Sequence, residues 1–144
     1  MMPNPADFAT EWINAWNSHD LDRILSLYAD DVEVTTPMIK VALGIDDGTV
    51  RGRDAAGQYW SAALRKVPNL HFELVEATRG VNSIAIYYKS ILGKTAIETM
   101  FFKVNKAIAH YNSGANKSVV PEAAHAYRYL KNCFFVVLIW VIGL

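Results

Sequence analysis

The chain has 144 residues, 52% hydrophobic and 19% charged, a length that suits one domain with one core and a composition that excludes a disordered tail protein. Fourteen basic residues balance fourteen acidic ones; with no net field and no Lys/Arg stripe, nucleic-acid binding is not expected. The single cysteine, Cys133, excludes an intramolecular disulfide or a cysteine-built metal cage, and the first seven residues lack the pattern of a secretory signal, so a cytoplasmic location is expected.

Asn4, Pro5 and Asp7 predict a helix start: a capping side chain, a proline in the first turn, and an acid near the positive end. Phe8, Trp12 and Trp16 follow at intervals of four, with Ala9 and Ile13 beside them, giving a wide and unusually aromatic apolar face. Asn17-Ser18-His19-Asp20 interrupts the helix. Ser18 or Asp20 would cap a second one, with Leu21, Ile24, Leu25 and Tyr28 as its buried stripe. The two short helices are expected to pack as an antiparallel or angled pair.

Asp30-Asp31 would end that helix, and the stretch from Val32 to Thr36 alternates like a short strand stopping at Pro37. From Met38 to Arg53 the pattern is lost among Gly44, Asp46-Asp47-Gly48 and Gly52, so a loop is expected. Asp54 would cap a third helix, with Ala56, Tyr59, Trp60, Ala63 and Leu64 as its apolar face and Pro68-Asn69 as its stop. Three strand-length runs follow, Leu70–Thr78, Ser83–Ile91 and Thr95–Val104. Asn105-Lys106 would turn the chain into a fourth, Ala107–Asn112. Helices first and antiparallel strands afterwards predict an α+β fold, not a parallel α/β sheet.

Ala15-Trp16-Asn17-Ser18-His19-Asp20-Leu21-Asp22, followed by Leu27-Tyr28-Ala29-Asp30-Asp31-Val32-Glu33-Val34, resembles the opening of SnoaL-like domains of the nuclear transport factor 2-like superfamily. Gly52-Arg53-Asp54-Ala55 and the hairpin from Phe102-Lys103-Val104-Asn105 to Ile108 look like that superfamily too. The likeness spans about residues 5–112. It implies three N-terminal helices packed in the concave face of a strongly curved, mostly antiparallel sheet, a cone-like α+β barrel around a deep cavity, usually in a homodimer. The same frame hosts ketosteroid isomerases, polyketide cyclases, dehydratases, epoxide hydrolases and non-catalytic binding modules. The general base, tyrosine and protonated acid of the ketosteroid isomerases would fall on Thr36, Trp12 and Met100. None of these can do the same work, so that mechanism is not expected.

The remaining candidates for proton transfer are Glu98 and His110. An acid facing into an apolar cavity suits general acid or base work, whereas an exposed strand glutamate would simply pair with a neighbour such as Lys89. His110 could shuttle a proton near neutral pH. A regular two-residue turn at Asn105-Lys106 would place Phe101 opposite His110 and Ser113 opposite Glu98, on opposite faces; a bulge or a three-residue loop would reverse this. Trp12, Trp16, Tyr28, Thr36, Tyr59, Trp60 and Phe102 are the expected ligand-binding set, with Tyr87 also turned inward. Such a lining fits a small apolar molecule, with O–H and N–H groups to orient it.

The four histidines show no metal-ligand spacing. There is no nucleophile elbow, phosphate loop or dinucleotide fingerprint, so no metal or cofactor is expected. His71 would open a strand near a sheet edge, and His19 would satisfy backbone groups in its turn. The expected domain covers residues 1–116. A C-terminal extension, residues 117–144, starts helically at Pro121-Glu122-Ala123-Ala124 and ends in twelve uncharged residues from Cys133 to Leu144. A membrane span needs ~20 apolar residues, so this run reads as a buried or interfacial segment, with membrane contact the lesser reading. The functional expectation is a small-molecule pocket, as an isomerase, cyclase or dehydratase on a carbonyl compound; the alternative is a non-catalytic dimerisation or partner-binding module.

Overall fold

The computed structural model describes residues 2–103 and 106–115. Helix α1 (Pro5–Ser18) starts as its sequence dictates, with the Asn4 side chain accepting from the N–H groups of Ala6 and Asp7. It buries Phe8, Ala9, Trp12, Ile13, Ala15 and Trp16. It ends on His19, in the left-handed region at φ 57°, a conformation uncommon outside glycine, Asn and Asp. The His19 ring meets the Leu70 carbonyl at 2.7 Å, and this contact holds the turn in place.

Helix α2 (Leu21–Leu25), capped by Asp20, is shorter than its periodicity suggests. Tyr28 is not on its stripe; it opens strand β1 (Tyr28–Thr35), and Asp30 and Asp31 lie within that strand. The β1 register shifts between Tyr28 and Glu33, so the aspartates sit at an irregularity that spares the ladder. Pairing overrides the i, i+4 spacing from Ile24, because Tyr28 takes its place beside Ala107 on the last strand.

The expected loop after Pro37 contains helix α3 (Pro37–Leu43) and strand β2 (Thr49–Arg51). Thr36 caps α3, its hydroxyl accepting from Met38 N–H at 3.3 Å, while Pro37 occupies the first turn and Gly44 closes it at φ 68°. A proline that stops a strand thus also starts a helix. Helix α4 (Arg53–Lys66) begins two residues earlier than an Asp54 cap would allow. Its cap is Gly52, with φ 87° and ψ 150°, a combination open essentially to glycine alone. Among the described residues there are therefore four α-helices, not three.

Strands β3 (Glu73–Arg79), β4 (Ser83–Lys89), β5 (Thr95–Lys103) and β6 (Lys106–Ala115) complete a six-stranded sheet in the order β2-β1-β6-β5-β4-β3. The pairings are antiparallel except β1 with β6, which is parallel, so the sheet is mixed and does not close. Strand β3 starts after Leu70 and Phe72, which remain outside the ladder, and His71 between them is exposed. Helix α1 packs along β3 and α4 along β1, enclosing one continuous apolar core. No helix among the described residues is long and apolar enough to cross a membrane. The proposed extension, residues 117–144, lies outside them.

Candidate functional site

A partly open cavity of about 70 Å³ lies inside the core, walled by Trp12 and Trp16 of α1, Tyr59, Trp60 and Ala63 of α4, Val34 of β1, Thr36, Leu70, Phe72, Tyr88, Glu98 and His110. Its wall is fixed from outside. The Asn17 side chain donates to the Phe72 carbonyl at 2.9 Å and accepts from the Phe72 N–H at 2.7 Å, while His19 meets Leu70 next door. The polar end of α1 thereby pins a segment that has no strand ladder of its own.

Glu98 and His110 lie on the same face of the sheet, against the expectation from a regular hairpin. Met100, not Phe101, stands opposite His110, because β6 carries one extra residue between its pairings with Phe101 and Phe102. That bulge shifts the register by one, and a one-residue shift turns every side chain to the other face. Glu98 and His110 are each 4% exposed. His110 Nε2 is hydrogen-bonded to Glu98 Oε2.

Three further groups extend this pair. Tyr88 O–H donates to Glu98 Oε1 at 2.7 Å. Trp12 Nε1–H donates to the Tyr28 hydroxyl at 2.8 Å, and that hydroxyl lies 3.4 Å from His110 Nδ1. Donors and acceptors are consistent in one direction: Trp12 to Tyr28, Tyr28 to the Nδ1 lone pair, and His110 Nε2–H to the carboxylate, which also accepts from Tyr88. The rings of the same residues also pack on one another and on their neighbours. Trp12 stacks on Phe72 with centroids 5.9 Å apart and 10° between planes, and Tyr28 stacks on His110 at 5.8 Å and 15°.

Burial is the main cause that pushes the phenols of Tyr28, Tyr59 and Tyr88 above the usual tyrosine range, and the negative charge of Glu98 pushes each the same way. At Tyr28 the bond from Trp12 acts in the opposite sense. All three therefore stay protonated phenols and not phenolate bases, and Tyr88 uses its O–H to donate to Glu98. Below about pH 10 tyrosines are protonated in both folded and unfolded chains, so this contribution to stability is fully present there. As pH rises further, the unfolded chain ionises first and stability falls. In an ultraviolet phenolate titration these three tyrosines are expected to ionise only as the protein unfolds. Ordinary titration of all seven tyrosines near pH ~10 in the folded protein would contradict this.

Of the expected lining, Trp12, Trp16, Thr36, Tyr59 and Trp60 reach the cavity wall. Tyr28 stands behind it, bonded to Trp12 and His110. Phe102 is buried and packs edge-on against Phe8 at 4.9 Å, but it does not line the cavity. Tyr87 is half-buried on the opposite face, and its neighbour Tyr88 takes the inward place. The signal for Tyr88 was available: Ile86 pairs with Glu98, so an inward Glu98 puts Ile86, and hence Tyr88, inward as well. Among the described residues no group of three or more His, Cys, Asp or Glu is placed to hold a metal ion.

A mixed sheet packed against helices, with a cavity walled largely by aromatic rings and a buried acid–imidazole pair, defines a cavity-bearing α+β domain. The chain belongs to the SnoaL-like domain family, whose model matches residues 9–128, a stretch that runs beyond Asn116. A SnoaL-like protein of unknown function from Burkholderia thailandensis is 40% identical, with a TM-score of 0.75 over 78% of this chain and 100% of that one. IdmH of Streptomyces antibioticus, a proposed polyketide cyclase, is 17% identical, with a TM-score of 0.66 over 79% of this chain and 94% of that one. A provisionally assigned SnoaL-like isomerase from Agrobacterium tumefaciens is 14% identical, with a TM-score of 0.62 over 77% and 97%. At these lower identities the likeness is one of fold. No curated protein matches the chain.

Proposed function

We propose that this domain is an enzyme that moves a proton on a small apolar carbonyl compound, as an isomerase, cyclase or dehydratase would. The observation that carries the reading is the hydrogen-bonded Glu98–His110 pair in the wall of a cavity otherwise lined mainly by aromatic and aliphatic side chains. A buried pair of this kind costs desolvation energy, and hydrophobic residues of similar volume often replace such pairs without loss of stability. Its presence at a cavity favours a chemical role. In the proposed step the ionised Glu98 carboxylate removes a proton from the carbon next to the carbonyl. The C–H electron pair moves into the C–C bond and charge gathers on the carbonyl oxygen. His110 and Tyr88 hold the carboxylate in place, and the proton returns to the substrate carbon framework.

The names given to IdmH and to the Agrobacterium protein suit this reading. The alternative, a non-catalytic module that pairs with a second copy or another partner, would use the sheet face turned away from Glu98, where Tyr87, Ile97 and Phe101 are half-buried. It leaves the Glu98–His110 pair without a task. The test is deuterium incorporation into cyclopentanone in D2O at neutral pH, followed by NMR. Exchange at the carbons beside the carbonyl is expected to accelerate in proportion to protein concentration. Exchange at the rate of buffer alone, with the ketone shown to be bound, would sink the proposal.

A further inference from the structure

The reactive pair occupies one part of the cavity wall, and Trp16 contributes another. Trp16 is 6% exposed and lines the cavity. Its indole Nε1–H is buried and meets no hydrogen-bond acceptor. The contrast with Trp12, four residues earlier on the same helix face, is direct, since the Trp12 N–H is taken by the Tyr28 hydroxyl. A buried indole N–H usually finds a partner, and leaving one unpaired is costly. Such a group calls for an explanation.

The surrounding rings place this donor near the chemistry. Trp16 packs against Trp12 at 5.9 Å and against Trp60 at 5.6 Å, and both of those rings pack against His110, at 6.5 and 6.1 Å. Trp16, Glu98 and His110 all line the one cavity, so a small molecule there can meet both the indole and the acid–imidazole pair, with a slight turn of the Trp16 ring to uncover its covered N–H. The Trp16–Trp60 contact is edge-to-face at 78°, so the ring face of Trp60 offers a weak π acceptor at most, inferior to an oxygen. The other hydroxyls on the wall are less selective. The Thr36 hydroxyl is already engaged by Met38 N–H, and that of Tyr59 rotates and can donate or accept. An indole N–H donates only, along a direction fixed by its ring.

Resting on the proton-transfer reading above, we propose that Trp16 Nε1–H holds the substrate's carbonyl oxygen, making the ligand one that presents an acceptor oxygen to helix α1 and its adjacent C–H to Glu98. When the C–H bond breaks and its electron pair shifts toward the carbonyl, the oxygen gains charge and the N–H bond to it strengthens. The N–H proton stays on nitrogen, and the only proton transferred is the one taken by Glu98. The cavity of about 70 Å³ is roughly half the ~150 Å³ that accommodates benzene, so it takes the carbonyl end of the ligand and leaves the rest toward the opening.

The experiment compares cyclopentanone with methylenecyclopentane, which has the same ring with =CH2 in place of the oxygen. The wild-type protein is expected to bind the ketone in preference to the hydrocarbon, and Trp16→Phe to lose about 3–10-fold of that preference. Deuterium exchange of the ketone should fall by about 10²-fold or more, the usual effect of removing one donor to a developing oxyanion. The carbonyl 13C resonance of bound ketone should lie downfield in the wild type and move back in the variant. Near-ultraviolet circular dichroism checks that the variant folds; 3-benzothienylalanine at position 16, with sulfur in place of N–H, preserves the ring shape if phenylalanine does not.

An unchanged ligand preference and carbonyl resonance in a folded variant overturns the assignment, even if exchange proceeds. A wild type that does not distinguish ketone from hydrocarbon overturns it as well. A preference lost with Trp16 in a protein that catalyses no exchange supports the acceptor-oxygen subsite and removes only the proton-transfer reading.

Discussion

Glu98→Gln is expected to reduce carbonyl α-proton exchange by about 10²–10⁴-fold, the range associated with loss of a positioned general base, while changing cyclopentanone affinity little. Glutamine occupies the same volume and retains an oxygen that can accept from Tyr88 O–H, as Glu98 Oε1 does at 2.7 Å. It can also keep a hydrogen bond to His110, because a neutral imidazole offers a donor on one nitrogen and an acceptor on the other. What disappears is the negative charge and the site that takes the proton. The measurement is the exchange rate at saturating ketone beside a binding isotherm, with circular dichroism as the fold control. A folded Glu98→Gln protein with wild-type exchange would remove Glu98 from the chemistry. A parallel loss of binding and rate would give Glu98 a role in holding the ligand instead.

The parts of this site that local sequence determines were the ones legible in advance. Helix α1 declares itself through Asn4, Pro5 and the Phe8, Trp12, Trp16 spacing, and both its tryptophans reach the cavity. Tyr59 and Trp60 follow from the same kind of regularity, and Thr36 from the family likeness. What local pattern does not contain is register. Whether Glu98 and His110 share a face depends on one extra residue in β6, and nothing in the alternation of β5 announces it. Tyr28 is a similar case. Its spacing from Ile24 imitates a helix, but the chain leaves α2 at Leu25 and pairs with β6, a partner that lies far along the sequence.

Helix α3 is masked in the sequence for another reason. Thr36, Pro37 and Gly44 form a sound cap, first turn and stop, yet a proline after a strand run also signals an ordinary strand end, and a seven-residue helix is too short for its periodicity to decide. The consequence for the site is small but specific. Thr36 is both the residue that ends β1 next to the cavity and the cap of the following helix, so its hydroxyl is already committed to Met38 N–H. A polar side chain on a cavity wall is not automatically available to a ligand. Trp16 marks the converse, a buried donor that the protein itself does not use.

Trp12 is where stability and the site become inseparable. Its side chain is 1% exposed, stacks on Phe72, and packs edge-on against Tyr88 at 5.3 Å. Trp12→Ala is expected to destabilise the fold by about 3–5 kcal/mol, the range for truncating a large buried aromatic and leaving part of its volume empty. Trp12→Phe should cost less, about 1–3 kcal/mol, because the ring remains while the Tyr28 hydroxyl loses its donor. Urea unfolding at fixed pH gives both values. If Trp12→Ala lies within about 1 kcal/mol of the wild type, the core has relaxed around the gap in a way its packing does not suggest. The phenylalanine variant carries the more informative second outcome. Tyr28 is then free to turn, and its 3.4 Å approach to His110 Nδ1 is no longer fixed from behind, so exchange should fall even though Trp12 contributes no proton to the reaction.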